Sequence, residues 1–111
     1  MTVSDAQAEA LPAFVRDALP EVKALCRRLG VRRLWLFGSA AEGALKPESD
    51  LDFLVEFMPQ ENLGPADQFL GLQQGLEALL GRRIDLLTTN SLRNPYLKRS
   101  VLQSRRLLHA A

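Results

Sequence analysis

Two polar pairs, separated by ten residues, have the residue types and spacing to do chemistry. Gly38 and Ser39 follow one apolar run, and Asp50 and Asp52 stand at the start of the next. Side chains at positions i and i+2 of a strand point to the same face, so the two carboxylates project together and repel unless a cation lies between them. Magnesium accepts one or two protein carboxylates and takes its other ligands from water and phosphate oxygens. The acidic pair therefore predicts a magnesium site.

The Gly-Ser pair is suited to holding phosphate groups. Glycine lets the backbone approach a ligand closely, and consecutive N–H groups in a tight turn bind phosphate oxygens. The Ser39 hydroxyl adds one more donor. If the strands that precede and follow this turn are neighbours, phosphates at Gly38 and Ser39 lie beside a metal held by Asp50 and Asp52. The pattern thus predicts a site for a nucleoside triphosphate with magnesium.

A third acid, Asp85, stands inside an apolar run further along the chain. A charge in such a run is rarely left unpaired. If its strand lies beside the acidic pair, Asp85 completes a triad, helps to hold a second metal and takes a proton from an attacking hydroxyl. The other interpretation pairs it with Arg82 or Arg83. These two arginines and Lys46 are either ligands of the triphosphate or solvated surface charges.

The elements that must position these residues are predicted from hydrophobic spacing and from glycine and proline. Pro20 either kinks the first helix, over 11–29, or starts a second one there, and Gly30 is a suitable end. Three strands and two further helices are predicted over 34–37, 50–57, 83–88, 66–80 and 96–108. The order α-β-β-α-β-α predicts an α/β fold in one domain, 1–111, with a small mixed β-sheet flanked by helices.

Composition excludes several classes of protein. The chain has 111 residues, a net charge of +1 and a single cysteine, Cys26. It therefore has no disulfide framework and no cysteine-based zinc site, and it is not expected to bind nucleic acid by bulk electrostatics. No apolar stretch is long enough to span a membrane and the start of the chain is polar, which predicts a cytoplasmic protein without membrane contact. His109 is near the C-terminus, where chains fray, and receives no chemical role.

Two surface features leave alternatives open. Gly71, Gly75 and Ala78 form a strip of small residues on the predicted helix 66–80. This strip favours close approach of another helix, either from the same chain or from a partner, which leaves a homo-oligomer open. The last helix is basic and amphipathic, with Lys98 and Arg99 among its charges. It either docks an acidic partner or is simply a solvated outer face.

Four segments together resemble a known superfamily. They are Leu34–Ser39, Ser49–Val55, Arg83–Leu87 and Leu92–Leu97. They resemble the polymerase-β-like nucleotidyltransferases and, within that superfamily, the minimal nucleotidyltransferases (MNT). The resemblance covers roughly residues 20–108. It implies the superfamily's fold and the transfer of a nucleoside monophosphate from an NTP, usually ATP, with two Mg²⁺ ions.

The same resemblance implies a role for five residues. Asp50 and Asp52 would be metal ligands, and Asp85 would be the third catalytic acid and a further ligand. Gly38 and Ser39 would anchor the triphosphate of the nucleotide.

The resemblance also implies a partner. Minimal nucleotidyltransferases are commonly paired with a toxin of the HEPN class (higher eukaryotes and prokaryotes nucleotide-binding), and we expect no separate acceptor domain within these 111 residues. The implied function is that of an antitoxin in a type VII-like HEPN/MNT pair, which transfers AMP to a tyrosine of the ribonuclease toxin. Many members carry an arginine shortly after the Gly-Ser pair, where this chain has Glu42. That departure favours an alternative antitoxin that acts by binding and occlusion only, with a vestigial site. A sensor that binds ATP without transfer leaves the third acid unexplained.

Overall fold

A four-stranded mixed sheet positions the two polar pairs. The computed structural model describes residues 11–111, and the polar start of the chain, on which the prediction of a cytoplasmic protein partly depends, lies outside this range. The helices and strands are α1 (Ala13–Asp17), α2 (Leu19–Leu29), β1 (Val31–Phe37), β2 (Leu51–Phe57), α3 (Pro65–Leu80), β3 (Ile84–Thr88), α4 (Pro95–Ser104) and β4 (Arg106–Ala110). The strand order is β3-β2-β1-β4, with β1 antiparallel to β2 and β4, and β2 parallel to β3. The predicted α/β fold is confirmed. Within residues 11–111 no helix is long and apolar enough to cross a membrane.

Pro20 separates two helices at the start of the described chain. It lies in the first turn of α2, where its missing N–H costs no hydrogen bond, and α1 ends just before it at Asp17. Of the two alternatives predicted for Pro20, the start of a second helix is confirmed. Gly30 then ends α2 in the left-handed conformation, with φ of 71°, as predicted.

The sheet separates two apolar cores. On one face, Leu34 and Leu36 of β1 pack with β2 and with helices α2 and α3. On the other face, Trp35 and Phe37 of β1 pack with Leu54 of β2 and with α4. The unbroken apolar run of β1 therefore has helices on both sides, as its pattern predicts.

A buried amide joins three elements on the larger of these two sides. Gln68 of α3 is only 2% exposed. Its Nε2 donates to the carbonyl oxygens of Leu29 and Met58, at 2.9 Å each. These bonds satisfy the end of α2 and the residue that follows β2, so the buried amide stabilises the connection between helix and sheet.

The C-terminal part differs from the predicted helix over 96–108. Helix α4 ends at Ser104, and residues 106–110 form β4, antiparallel to β1. Without this strand, β1 would be an open edge with unpaired N–H and C=O groups. Pairing with β1 also buries Leu108 completely. The helical spacing of leucines was a misleading signal here, because a tertiary partner outweighs local propensity.

The expectation that His109 lies in a frayed end is therefore wrong. His109 pairs with Leu34 across β4 and β1 and is 7% exposed. Burial lowers the pKa of this imidazole below its usual 6.5, with a smaller contribution from the nearby charges of Arg27 and Lys23. His109 is thus a neutral core residue at pH 7.

The strip of small residues on α3 is covered by a helix of the same chain. A Cβ at Gly75 would lie 2.6 Å from Leu25 Cδ2, and a Cβ at Gly71 would lie 3.2 Å from Leu29 Cδ2. Both leucines belong to α2. The glycines therefore allow α2 and α3 to pack closely. Of the two alternatives that the sequence left open, a helix of the same chain or one of a partner, the structure shows the first.

Substitution of Gly75 by leucine is expected to destabilise the fold. The added side chain must displace Leu25, and overpacking of this kind costs about 1–3 kcal/mol, which exceeds the roughly 1 kcal/mol that a better helix former returns. Urea unfolding of Gly75→Leu against Gln74→Leu measures the effect, because Gln74 is exposed on the same helix. Equal stability of the two variants would show that the packing of α2 does not depend on the absence of a side chain at Gly75.

Candidate active site

The sheet register brings the predicted site residues to one end of three strands. Phe37, the last residue of β1, pairs with Asp52 of β2, and Asp52 pairs on its other side with Asp85 of β3. Asp52 therefore lies between the Gly38 turn and Asp85, while Asp50 lies just before the start of β2. The predicted site required the strand before the Gly38 turn to lie beside the strand of Asp52, and the strand of Asp85 to lie beside it as well. Both conditions are met.

Asp52 carries the strongest electrostatic signal of the site. Its pKa is raised from 3.8 to about 6, first by burial, then by the charges of Asp85 and Asp50 and by a hydrogen bond with Asp85. The negative charges of three neighbouring carboxylates thus repel one another, and Asp52 holds its proton more tightly than an ordinary aspartate. A divalent cation relieves this repulsion, so the chemistry of the donor set fits a metal.

Gly38 is required because its backbone approaches Asp52. It has a φ of 74°, and a Cβ at this position would lie 2.5 Å from Asp52 Oδ2. A side chain would therefore be strained by the backbone conformation and would collide with the carboxylate. The sequence explained this glycine by the approach of a phosphate, whereas the structure adds a second reason inside the protein.

The Gly38–Ala40 segment forms a single 3₁₀ turn at the end of β1. The Gly38 N–H donates to Ser104 Oγ at 3.3 Å, and the Ser104 hydroxyl donates to the Ser100 carbonyl at 3.0 Å. The N–H groups of Ser39 and Ala40 begin the turn and have no partner within it. These two groups and the Ser39 hydroxyl are therefore better placed than the Gly38 N–H to receive phosphate oxygens.

The carboxylates form an open site rather than a closed metal cage. Asp50 and Asp85 are exposed and Asp52 is half-buried. Across residues 11–111, no three His, Cys, Asp or Glu side chains are grouped so that they alone could hold a metal ion. An open arrangement suits Mg²⁺, which keeps several water ligands and binds phosphate oxygens.

Arg82 holds the loop in front of Asp50. Its Nη1 donates to the carbonyl oxygens of Lys46 and Ser49, at 2.9 and 3.1 Å, and its guanidinium lies 5.1 Å from the centre of the Phe14 ring. Among the described residues the ion pairs are Arg32–Glu56 and Arg33–Glu56, so neither Arg82 nor Arg83 pairs with Asp85. Arg82 is therefore a positioning residue, a role that its sequence context does not reveal.

Loss of Arg82 is expected to slow the chemistry without removing a catalytic group. Arg82→Ala frees residues 46–49, and misplacement of the adjacent Asp50 should lower the rate about 10-fold. Arg83→Ala is the matched control, since Arg83 is exposed and only its backbone carbonyl is used, by the Leu51 N–H at 3.0 Å. Steady-state rates of nucleotidyl transfer from ATP are measured for both variants. An equal loss in the two variants would instead make the two charges ligands of the triphosphate.

A cavity of about 610 Å³ lies away from these residues. Its lining includes Val55, Met58, Phe69 and Thr88, which places it near the carboxyl ends of β2 and β3. The three acids lie at the opposite ends of these parallel strands. We assign the chemistry to the acids, because a triphosphate with its metal needs carboxylate ligands, and Glu56 is the one carboxylate among the residues that line this cavity.

The sequence of residues 22–108 matches the model of a family described as nucleotidyltransferase domain. The chain belongs to this family. Among the relatives of this nucleotidyltransferase is protein adenylyltransferase MntA of Thermococcus cleftensis, 42% identical over 76 residues, which are 68% of this chain and 74% of the relative.

Solved structures agree with this assignment. A structure described as a minimal nucleotidyltransferase superposes with a TM-score of 0.67 at 36% identity, covering 82% of this chain and 89% of the other. The resemblance to the minimal nucleotidyltransferases and the polymerase-β-like fold are thereby confirmed.

Two toxin–antitoxin complexes share the fold at lower identity. One is a crystal structure with AMP-PNP, with a TM-score of 0.64 at 23% identity, covering 84% of this chain and 73% of the other. The second contains a tri-AMPylated HEPN toxin of Shewanella oneidensis with its MNT antitoxin. Its TM-score is 0.59 at 20% identity, with coverage of 86% and 72%.

Proposed function

We propose that this nucleotidyltransferase is the antitoxin of a HEPN/MNT pair and transfers AMP from ATP to a tyrosine of its HEPN toxin. The observation that carries the proposal is the convergence of Asp50, Asp52 and Asp85 beside the Gly38 turn. The MntA relative, named a protein adenylyltransferase, supports the reaction, and the AMPylated HEPN toxin bound to an MNT antitoxin supports the partner.

The proposed reaction is an in-line displacement at the α-phosphorus of ATP. The tyrosine oxygen forms a bond to this phosphorus, the bond from the phosphorus to the bridging oxygen of the β-phosphate breaks, and pyrophosphate leaves. Asp85, which is exposed and borders Asp52, takes the hydroxyl proton. Ser39 and the N–H groups of its turn hold phosphate oxygens, which fixes the nucleotide for attack.

Asp50, Asp52 and Asp85 are the residues that would hold Mg²⁺. When bound, the metal would neutralise negative charge on the phosphates during transfer. The protein's own contribution is to keep three carboxylates close enough to repel one another in the absence of that charge.

The acceptor hydroxyl is proposed to come from outside the chain. Asp50 and Asp85 are both exposed, so a second folded protein can present a side chain to them. We further place the pair in the cytoplasm, where ATP, Mg²⁺ and the RNA that a ribonuclease toxin would cleave are all present.

One observation favours a second function, neutralisation by occlusion alone. Glu42 is exposed in the segment after the Gly38 turn, and its N–H bonds back to the Gly38 carbonyl at 3.1 Å. A negative charge there repels a triphosphate, since like charges close together are unfavourable. A chain with weak nucleotide affinity would still bind and cover its toxin.

The amount of antitoxin needed separates the two functions. The enzyme is expected to inactivate its HEPN partner when present as a small molar fraction with ATP and Mg²⁺, because each molecule acts repeatedly. Residual ribonuclease activity is measured as the ratio of antitoxin to toxin is lowered, with and without ATP. If neutralisation instead needs an equimolar amount of antitoxin and does not depend on ATP, the result would contradict the enzymatic mechanism and support occlusion.

A further inference from the structure

Helix α4 is packed on the sheet by only part of its surface. Val101 and Ser104 are its buried residues, whereas residues 95–100 are all exposed. Three of its apolar side chains face solvent to a large extent, Tyr96 at 84%, Leu97 at 40% and Leu102 at 47%. Leu97 lies four residues before Val101 and therefore on the packed side of the helix, whereas Tyr96 and Leu102 lie on its solvent side. An isolated exposed leucine is ordinary, but a tyrosine and a leucine together on the solvent side of one short helix indicate a surface that is covered in an assembly.

The charge of this part of the chain is also one-sided. All 13 acidic residues lie at or before Asp85, and five basic residues follow it. Lys98 and Arg99 lie within the exposed part of α4, beside Tyr96 and Leu97. A partner that covers this helix must therefore offer negative charge together with apolar contacts, because buried cations need opposite charges.

The position of α4 relates this surface to the active site. Asp52 lies two residues before Leu54 on β2 and so shares its face of the sheet, which is the face covered by α4. The C-terminal end of α4 contacts the phosphate turn through the bond from Gly38 N–H to Ser104 Oγ. Tyr96 is eight residues earlier, about 12 Å along the helix axis. A protein bound over α4 thus lies on the same side of the sheet as the carboxylates.

We infer that the exposed surface of α4, formed by Tyr96, Lys98, Arg99 and Leu102, is the docking surface for the protein that accepts AMP. Its occupant is an acidic surface of that protein, adjacent to the hydroxyl that is modified. The inference rests on the proposed function for the identity of the occupant. A protein is favoured over RNA because the exposed Leu102 offers an apolar contact that neither a phosphate nor a stacked base needs, whereas apolar contacts are part of protein interfaces.

Charge reversal on α4 tests the inference. Lys98→Glu/Arg99→Glu is expected to weaken binding of the proposed HEPN partner by about 10-fold or more, and to raise the KM for that protein by a similar factor. Tyr96→Ala should weaken binding without charge change. AMP-PNP affinity should stay the same, because neither substitution reaches the carboxylates or the turn.

The matched control is Arg27→Glu/Arg28→Glu, which changes net charge equally. Both residues are exposed on α2, which packs on the other face of the sheet. This control should keep wild-type affinity, and the wild-type affinity should fall with added salt more steeply than that of the α4 variant. Melting temperatures of all variants confirm that they are folded.

Four results would overturn the inference. Two of them are unchanged affinity in both α4 variants and an equal loss in the α2 control. A switch of the chain from dimer to monomer that leaves partner affinity intact would assign the surface to a second copy. Equally tight binding of an unstructured RNA, lost in the same variants, would assign it to nucleic acid. If α4 governs binding but wild type transfers no AMP, the docking surface stands and the proposed function fails.

Discussion

Replacement of Asp52 by asparagine is expected to stop AMP transfer and, at the same time, to raise the melting temperature of the metal-free protein at pH 7. The rate should fall by on the order of 10³-fold, since a preorganised charge at the transferring phosphoryl group is lost. The thermal gain should be a few degrees, because asparagine keeps the shape of the side chain but removes the charge that its neighbours repel.

The pH dependence of stability follows from the raised pKa of Asp52. Between pH 3.8, its ordinary pKa, and about 6, its pKa in the fold, the folded protein keeps a proton that the unfolded chain has released. The free energy of unfolding of the wild type therefore falls as pH rises through this window, relative to that of Asp52→Asn. Below this window the two proteins should be similar in stability.

Addition of Mg²⁺ should reverse the order of the two proteins. A ligand that binds only the folded state stabilises it, so the wild type should gain melting temperature with Mg²⁺ and Asp52→Asn should gain much less. Glu61→Gln, a neutralised exposed acid in the loop between β2 and α3, is the control and should follow the wild type. A variant that melts lower than the wild type at pH 7 without metal, or that retains full transfer, would contradict this account of the site.

Gly38→Ala is the second change with a large expected effect. Alanine at a φ of 74° costs about 1–2 kcal/mol of stability. Its Cβ would also lie 2.5 Å from Asp52 Oδ2, so the carboxylate must move. Misplacement of a catalytic group by about 1 Å can cost roughly 100-fold in rate, which is the loss expected here.

Gly43→Ala separates backbone strain from displacement of the carboxylate. Gly43 has nearly the same φ, 75°, but a Cβ there would meet nothing within 4 Å. Gly43→Ala should lose the stability that backbone strain costs and Gly38→Ala at least as much in urea unfolding, yet only Gly38→Ala should lose most of its transfer rate. Similar rates in the two variants would show that the close approach of Gly38 to Asp52 has no catalytic consequence.

The motif residues were predictable because their chemistry depends on local spacing. Asp52 lies at the start of the apolar run of β2 and Asp50 directly precedes that strand, and the apolar runs on either side of the turn required buried strands. The sequence left the pairing of β2 with β3 as a condition, because the parallel register that places Asp85 opposite Asp52 depends on tertiary contacts.

The remaining parts of the site depend on distant contacts. The sequence around Ser104 is helical in pattern, and nothing near it indicates a bond to the backbone of Gly38, 66 residues away. Arg82 resembles any surface arginine until the carbonyl oxygens of Lys46 and Ser49 are placed beside it. In the same way, β4 exists because β1 offers an open edge, which no local propensity reports.

The intact mass of the HEPN partner is the most direct test of the central claim. The partner is incubated with this chain, ATP and Mg²⁺, and its mass is compared with that of a sample treated with Asp52→Asn. The account predicts a mass increase by whole adenylyl groups on tyrosine, with loss of ribonuclease activity, only in the wild-type sample. An unchanged mass in a partner that is nevertheless fully inhibited would contradict it.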